Sequence, residues 1–207
     1  MPAVARIDPK DVFTTEEWAR LSPKSSWRGL ALVAGAWGLI AAAGALFIVW
    51  PNPLTYVLAV MIIGARQLGL AILMHDAAHG ALHANQKIND WVGEWLCAAP
   101  VGGRLESYRA YHLKHHRFTE QPEDPDKSLS APFPITRKSL WRKIVRDLTG
   151  QTFLKQRTAQ IFGNRQPGEV VNGSNAHFLL ANAILLIGLS LAGYWWAYFA
   201  LWIVPIR

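Results

Sequence analysis

The feature that most constrains this chain is a run of 21 residues, 30–50, without a single charged side chain. As an α-helix rising 1.5 Å per residue it extends about 31 Å, the thickness of a bilayer's hydrocarbon core. The breaker Pro51-Asn52-Pro53 follows, and then a second apolar run over residues 54–74, interrupted only by Arg66 and Gln67. Three residues between two such runs predict a tight antiparallel helical hairpin. A third uncharged run, residues 178–206, would measure about 43 Å as one helix, too long for a single crossing without severe tilt. It reads as one crossing from Phe178 to the neighbourhood of Gly193, an aromatic interfacial turn through Tyr194, Trp195 and Trp196, and the start of a fourth helix in which the chain stops. The expected fold class is therefore all-α, with multi-pass transmembrane helices.

Composition agrees. Charged residues make up 17% of the 207, below the roughly 25% usual in soluble chains. Ten tryptophans and a hydrophobic share of 51% exclude a disordered tail, a collagenous repeat and a disulfide scaffold. The lone Cys97 excludes an intrachain disulfide and a cysteine-ligated iron–sulfur cluster or zinc ribbon. A net charge of +7 raises the question of nucleic acid. The basic residues are segregated from the apolar runs rather than spread over a soluble surface, so no nucleic-acid partner is expected.

Five lysines and arginines precede residue 29, fourteen lie between residues 75 and 177, and only Arg66 and Arg207 fall elsewhere. Cytoplasmic loops carry the basic excess, which puts the middle segment on the cytoplasmic side of a membrane, here read as a bacterial inner membrane. Residues 1–28 contain Asp8, Asp11, Glu16 and Glu17 and no apolar core, so the first run reads as an anchor rather than a cleaved leader. The expected organisation is a cytoplasmic N-terminal segment (1–28), a transmembrane hairpin (29–74), a cytoplasmic region (75–176), and a third crossing with the start of a fourth (177–207). The sequon Asn172-Gly173-Ser174 falls on the cytoplasmic side and is expected to be unmodified.

Within the cytoplasmic region, residues 138–148 place Leu140, Trp141, Ile144, Val145 and Leu148 on one helical face, with Lys138, Arg142, Lys143 and Arg146 around the rest and Gly150 as terminator. Such a helix lies in the headgroup plane or packs on its own protein. Trp91, Val92, Trp95 and Leu96 around Glu94 form a shorter stretch open to the same two readings.

Five of seven histidines fall into two clusters. His75-Asp76-Ala77-Ala78-His79 stands at the end of the second apolar run, where i, i+4 spacing stacks two imidazoles on one helix face, able to share a metal. His112, His115 and His116 bring three rings to one side, and adjacent His115 and His116, about 100° apart around a helix, can serve two ions. Either cluster alone arises by chance. Both together, on one membrane face, point to a paired-metal site, and nitrogen donors with few carboxylates suit iron, zinc or copper.

These residues resemble the membrane fatty acid desaturase and hydroxylase superfamily, whose members carry a helical hairpin, an HxxxH box (His75, His79), an HxxHH box (His112, His115, His116), a second hairpin and a third HxxHH box. The stretch Arg66-Gln67-Leu68 through His75-Asp76-Ala77-Ala78-His79-Gly80, with His115-His116-Arg117 and Glu123-Asp124-Pro125-Asp126, is similar to bacterial-type acyl desaturases. The resemblance implies two iron ions held at the cytoplasmic membrane surface, activating dioxygen to remove hydrogens from an acyl chain. It also implies an external electron donor, a ferredoxin or a b-type cytochrome with its reductase, because the chain has no haem-attachment motif, cysteine cluster or nucleotide-binding glycine loop. The basic surface would dock that carrier or meet anionic lipid headgroups.

The sequence departs from the family pattern in lacking a third box, since only His177 follows His116. The expectation is a truncated, inactive version of an acyl-lipid desaturase, with a naturally short protein holding one metal as the competing reading. A lipid or carotenoid hydroxylase or ketolase of the same superfamily is the nearest alternative. Outside it stand a membrane zinc hydrolase, with Asp76 as its carboxylate, and a non-catalytic metal-binding membrane protein.

Further candidates each carry two readings. His83 continues the first box's spacing as a supporting group or is an interfacial surface residue. His177 is an extra ligand or a membrane-boundary residue. Asp76, Asp124 and Asp126 orient ligand imidazoles through the remote N–H, although turn chemistry explains the carboxylates of residues 123–126 equally well. Arg66 faces a substrate head group, pairs within the bundle or snorkels to the boundary.

Overall fold

The computed structural model describes residues 7–130, 132–152, 154–155 and 176–206, and among them there is helix, turn and loop but no strand. The sequon at 172–174 lies outside the described residues. A short helix, α1 (Thr15–Leu21), is closed by a capping box in which Thr14 Oγ1 accepts from the Glu17 N–H while the Glu17 carboxylate accepts from Thr14.

The hairpin comprises α2 (Arg28–Val49) and α3 (Pro53–Ala78), both long and apolar enough to cross a membrane. Its turn follows from local chemistry. Pro53 occupies the first helical position, where its missing N–H costs nothing, and Asn52 Oδ1 accepts from the N–H groups of Leu54 (3.0 Å) and Thr55 (3.1 Å). Alanines line much of the seam: Ala36 and Ala43 of α2 and Ala59 of α3 are buried, together with Val33 and Ile63. Leu32, Leu39, Met61 and Leu68 point outward and are half or more exposed. An apolar exterior of this kind is stable against hydrocarbon and costly against water.

α3 is the longer helix, and its 26 residues rise about 39 Å against a hydrocarbon core of about 30 Å. His75 stands 22 positions beyond Pro53, about 33 Å along the axis, more than that thickness. The helix ends in a Schellman motif: Gly80, at φ +67°, takes the left-handed position, its N–H donates to Ala77 O (2.9 Å), and the Ala81 N–H donates to Asp76 O (2.9 Å).

The chain then forms α4 (Gln86–Val92), which runs without a break through a π-helical turn, Gly93–Ala98, and a last turn, Ala99–Val101. This is the tryptophan-rich stretch, and it packs largely on its own protein: Val92, Cys97 and Ala98 are buried, while Trp91 is exposed. Gly93 is required by close approach, because a Cβ there would lie 2.4 Å from Ala77 Cβ. A π turn at a functional edge is a recurrent device, and here it turns Glu94 inward, where its Oε2 accepts the Leu105 N–H (2.7 Å) at the start of α5 (Leu105–Phe118).

The basic amphipathic helix is α6 (Arg137–Leu148), capped by Thr136 Oγ1 on the Ser139 N–H (3.2 Å), with Gly150 in the left-handed conformation just beyond it. None of its residues is buried; Trp141 is 65% and Leu148 83% exposed. Its apolar face is therefore exposed among the described residues.

The apolar helix α7 (Ala176–Leu191) stops before Gly193, φ +82°, and the chain folds back through Trp195–Ala197 and a second π turn, Tyr198–Ile203, against α3. The break thus falls where the length of the run places it. Asn182 of α7 is buried at the centre of this packing: its Oδ1 accepts from Tyr198 Oη (3.1 Å) and Trp202 Nε1 (2.9 Å), and its Nδ2 donates to Pro100 O (3.2 Å). Gln67 Nε2 donates to Trp202 O (2.8 Å), and Trp202 stacks on Trp37 with ring centroids 5.6 Å apart.

Candidate metal centre

Helix α3 delivers His75 and His79 from one side and α5 delivers His112 and His116 from the other. One ligand nitrogen from each of the four falls within 4.8 Å of all the rest. His112 Nε2 lies 2.9 Å from His79 Nε2 and 2.9 Å from His116 Nε2. A neutral ring nitrogen has one proton or one lone pair, so it cannot satisfy two such neighbours by ordinary hydrogen bonds. With metal–nitrogen bonds of about 2.0–2.1 Å, two ligands at a right angle on one ion sit about 3 Å apart. The donor set therefore fits a metal ion. His112 is buried, while His79 and His116 are exposed, which leaves the cluster an open face.

Two rings in the region are turned by carboxylates. His75 Nδ1 lies 3.1 Å from Asp76 Oδ1, which leaves Nε2 for the cluster. His115 stands apart, its ring centroid 6.1 Å from that of His112, and its Nδ1 faces Asp124 Oδ1 at 2.8 Å and Asp126 Oδ2 at 3.4 Å. His115, Asp124 and Asp126 form a second group with metal-ligand spacing. Asp124 is buried and also accepts the N–H groups of Glu120 (2.8 Å) and Asp126 (2.8 Å), so the turn that follows α5 is built around its carboxylate. Asp126 accepts in addition from Tyr111 Oη.

Burial and the charges that neighbouring rings would carry set the protonation states. Burial first, then His75 and His116, push His79 below the ordinary histidine value, and the same causes take His112 down to about 4. His115 is held above the ordinary value by its hydrogen bond to Asp124. Burial alone would raise Asp124; the bonds from His115 and from the Asp126 and Glu120 N–H groups outweigh it and hold the carboxyl below the ordinary range. His79 and His112 are thus held neutral near pH 7, the state in which imidazole binds metal.

The remaining candidates lie outside this cluster. His83 Nδ1 accepts the Asn85 N–H (2.9 Å) in the turn before α4. His177 Nδ1 meets Glu94 Oε1, with its ring 4.4 Å from that of Trp95. Arg66 is half-buried in α3, with no ion pair among the described residues. Tyr108, which the histidine pattern did not single out, stacks on His112 with ring centroids 5.2 Å apart and planes 8° apart, one turn earlier on the same helix.

The chain is similar to known desaturases over parts of its length. Over 73 residues the chain is 44% identical to a dihydrorhizobitoxine desaturase of Bradyrhizobium elkanii, a stretch covering 34% of this chain and 21% of that protein. Over 127 residues it is 32% identical to a chloroplastic omega-3 fatty acid desaturase of Glycine max, covering 55% and 26%. Over 60 residues it is 33% identical to an sn-1 oleoyl-lipid 12-desaturase of Arthrospira platensis, covering 29% and 17%. In each case the chain spans 26% or less of the relative's length. No solved structure matches the chain. Residues 50–207, which hold both histidine clusters and every contact between them, match the family model described as fatty acid desaturase: the chain belongs to the fatty acid desaturase family.

Proposed function

We propose that this chain carries the histidine-ligated part of a two-iron, oxygen-dependent acyl-lipid desaturase, seated where its two long apolar helices leave the membrane on the cytoplasmic side. The observation that carries the reading is the convergence of Nε2 atoms from two helices on His112, with separations of 2.9 Å. When bound, the irons supply the activation of dioxygen that removes two hydrogens from an acyl chain. His75, His79, His112 and His116 hold one side of the centre. His115 serves the second ion, and Asp124 keeps its Nε2 turned towards the site. Five imidazoles are about half of what two irons at five- or six-coordination take, so this chain supplies part of the ligand set.

Desaturation is favoured over hydroxylation because all three similar proteins are named as desaturases. Those names differ in substrate, and acyl lipid is the reading that the family description supports. The two electrons each turnover requires come, on this proposal, from a ferredoxin or a b-type cytochrome with its reductase. The exposed apolar face of α6, flanked by Lys138, Arg142, Lys143 and Arg146, rests on this proposal in the headgroup plane.

The test is lipid analysis of cells expressing the whole protein. New double bonds are expected that require dioxygen and disappear in His112→Ala. Hydroxylated products, or turnover that persists without dioxygen, would contradict the reading.

A further inference from the structure

Two helices that share a metal centre need a fixed relative register, and one side chain spans the gap between them. Arg109 stands one turn before His112 on α5, and its guanidinium reaches the C-terminus of α3, whose last carbonyls carry the negative end of the helix dipole. Its Nε donates to Ala78 O (3.0 Å) and one terminal nitrogen to Ala77 O (2.9 Å). The same guanidinium is held from behind by Asp90 of α4: Nη1 lies 3.3 Å from Oδ2, and Nη2 bonds Oδ1. Asn89, fully buried, completes the arrangement, donating from Nδ2 to Ala77 O (2.9 Å) and accepting the Leu82 N–H on Oδ1 (3.0 Å).

The carbonyls being capped belong to the residues between His75 and His79. We propose that Arg109, locked by Asp90, is the positioning residue that sets the box on α3 against the box on α5. A planar guanidinium presents several N–H groups in a fixed fork and can bond two carbonyls and a carboxylate at once; an ammonium group matches the charge but not the fork. The shape of arginine, beyond its charge, is what the site uses.

This inference rests on the metal-centre reading, and the experiment separates the two. The whole protein in lipid nanodiscs is titrated anaerobically with ferrous ion, and its Co2+ form is recorded by visible absorption, for wild type, His112→Ala and Arg109→Lys. Lysine keeps Asp90 paired with a cation, so a role confined to charge balance or fold stability survives the substitution. The expected result is wild-type helicity and thermal midpoint in Arg109→Lys, with about tenfold weaker ferrous binding and an altered Co2+ spectrum. Wild-type affinity and spectrum in Arg109→Lys would overturn the inference. Failure of Arg109→Lys to fold would overturn it as well, by making Arg109 a determinant of the fold rather than of the site. Absence of binding in wild type would instead overturn the metal-centre reading.

Discussion

His115 and Asp124 meet across the turn that ends α5, Nδ1 to Oδ1 at 2.8 Å, with the carboxylate almost wholly buried and the imidazole side chain 26% exposed. A buried carboxylate that accepts one imidazole nitrogen fixes the tautomer and aims the other nitrogen. Asp124→Asn should therefore weaken ferrous binding about tenfold or more, while leaving the inner four-histidine cluster in place. A Co2+ titration of the whole protein, in which Asp124→Asn loses affinity and Asp126→Asn loses less, is the check.

The depressed His112 makes the metal-free protein sensitive to mild acid. The unfolded chain takes up a proton at this position near pH 6.5, whereas the folded chain does so only near 4. Folded-state stability is therefore full above about pH 6.5, falls as the pH drops towards 4 and levels off below it, with an upper bound of about 3 kcal/mol. His79 acts in the same direction. His115 acts oppositely, since its raised value contributes stability below the ordinary histidine pKa that is lost as the pH climbs past the folded one. Thermal midpoints of metal-free protein should decline between pH 6.5 and 4, with a shallower decline in His112→Gln.

Asn182 ties α7 to the returning terminal segment within the apolar layer. Asn182→Leu leaves Tyr198 Oη and Trp202 Nε1 without their acceptor and should cost about 1–3 kcal/mol. The effect is read as a lower thermal midpoint in detergent; an unchanged midpoint would remove this network from the packing that holds α7.

Gly93 sits where the π turn crosses α3. An added methyl group would lie 2.4 Å from Ala77 Cβ, which cannot yield without moving α3, and 3.1 Å from Leu105 Cδ2, which has to give by a few tenths of an ångström. Gly93→Ala should destabilise by about 1–3 kcal/mol and weaken metal binding together with stability, whereas Arg109→Lys separates the two.

Much of this was legible in the residues alone. Apolar runs and a Pro-Asn-Pro breaker mark α2, α3 and their turn, and the length of the third run places its break near Gly193. Histidine spacing picks out the four rings that meet, because i, i+4 periodicity is a local property of a helix, but it also groups His115 with His112 and His116, and the structure sets His115 apart with Asp124 and Asp126. The bonds that align the helices are not local. Arg109 and Asn89 act on backbone carbonyls 32 and 12 positions away, and carbonyls have no sequence signature. Glu94 reads as the polar face of an interfacial stretch, yet the π turn directs it inward to the start of α5. Tyr108 has no sequence signature, because a tyrosine beside a histidine box carries no spacing rule; the 8° angle between the rings reveals the stack.

The central claim is that imidazoles from α3 and α5 bind iron together. Its most direct test is the iron content of the whole protein, purified after anaerobic ferrous reconstitution, for wild type, His79→Ala and His112→Ala. Two irons per chain are expected in wild type and a marked loss from either single substitution, with helicity unchanged. Full iron content in both variants would contradict it.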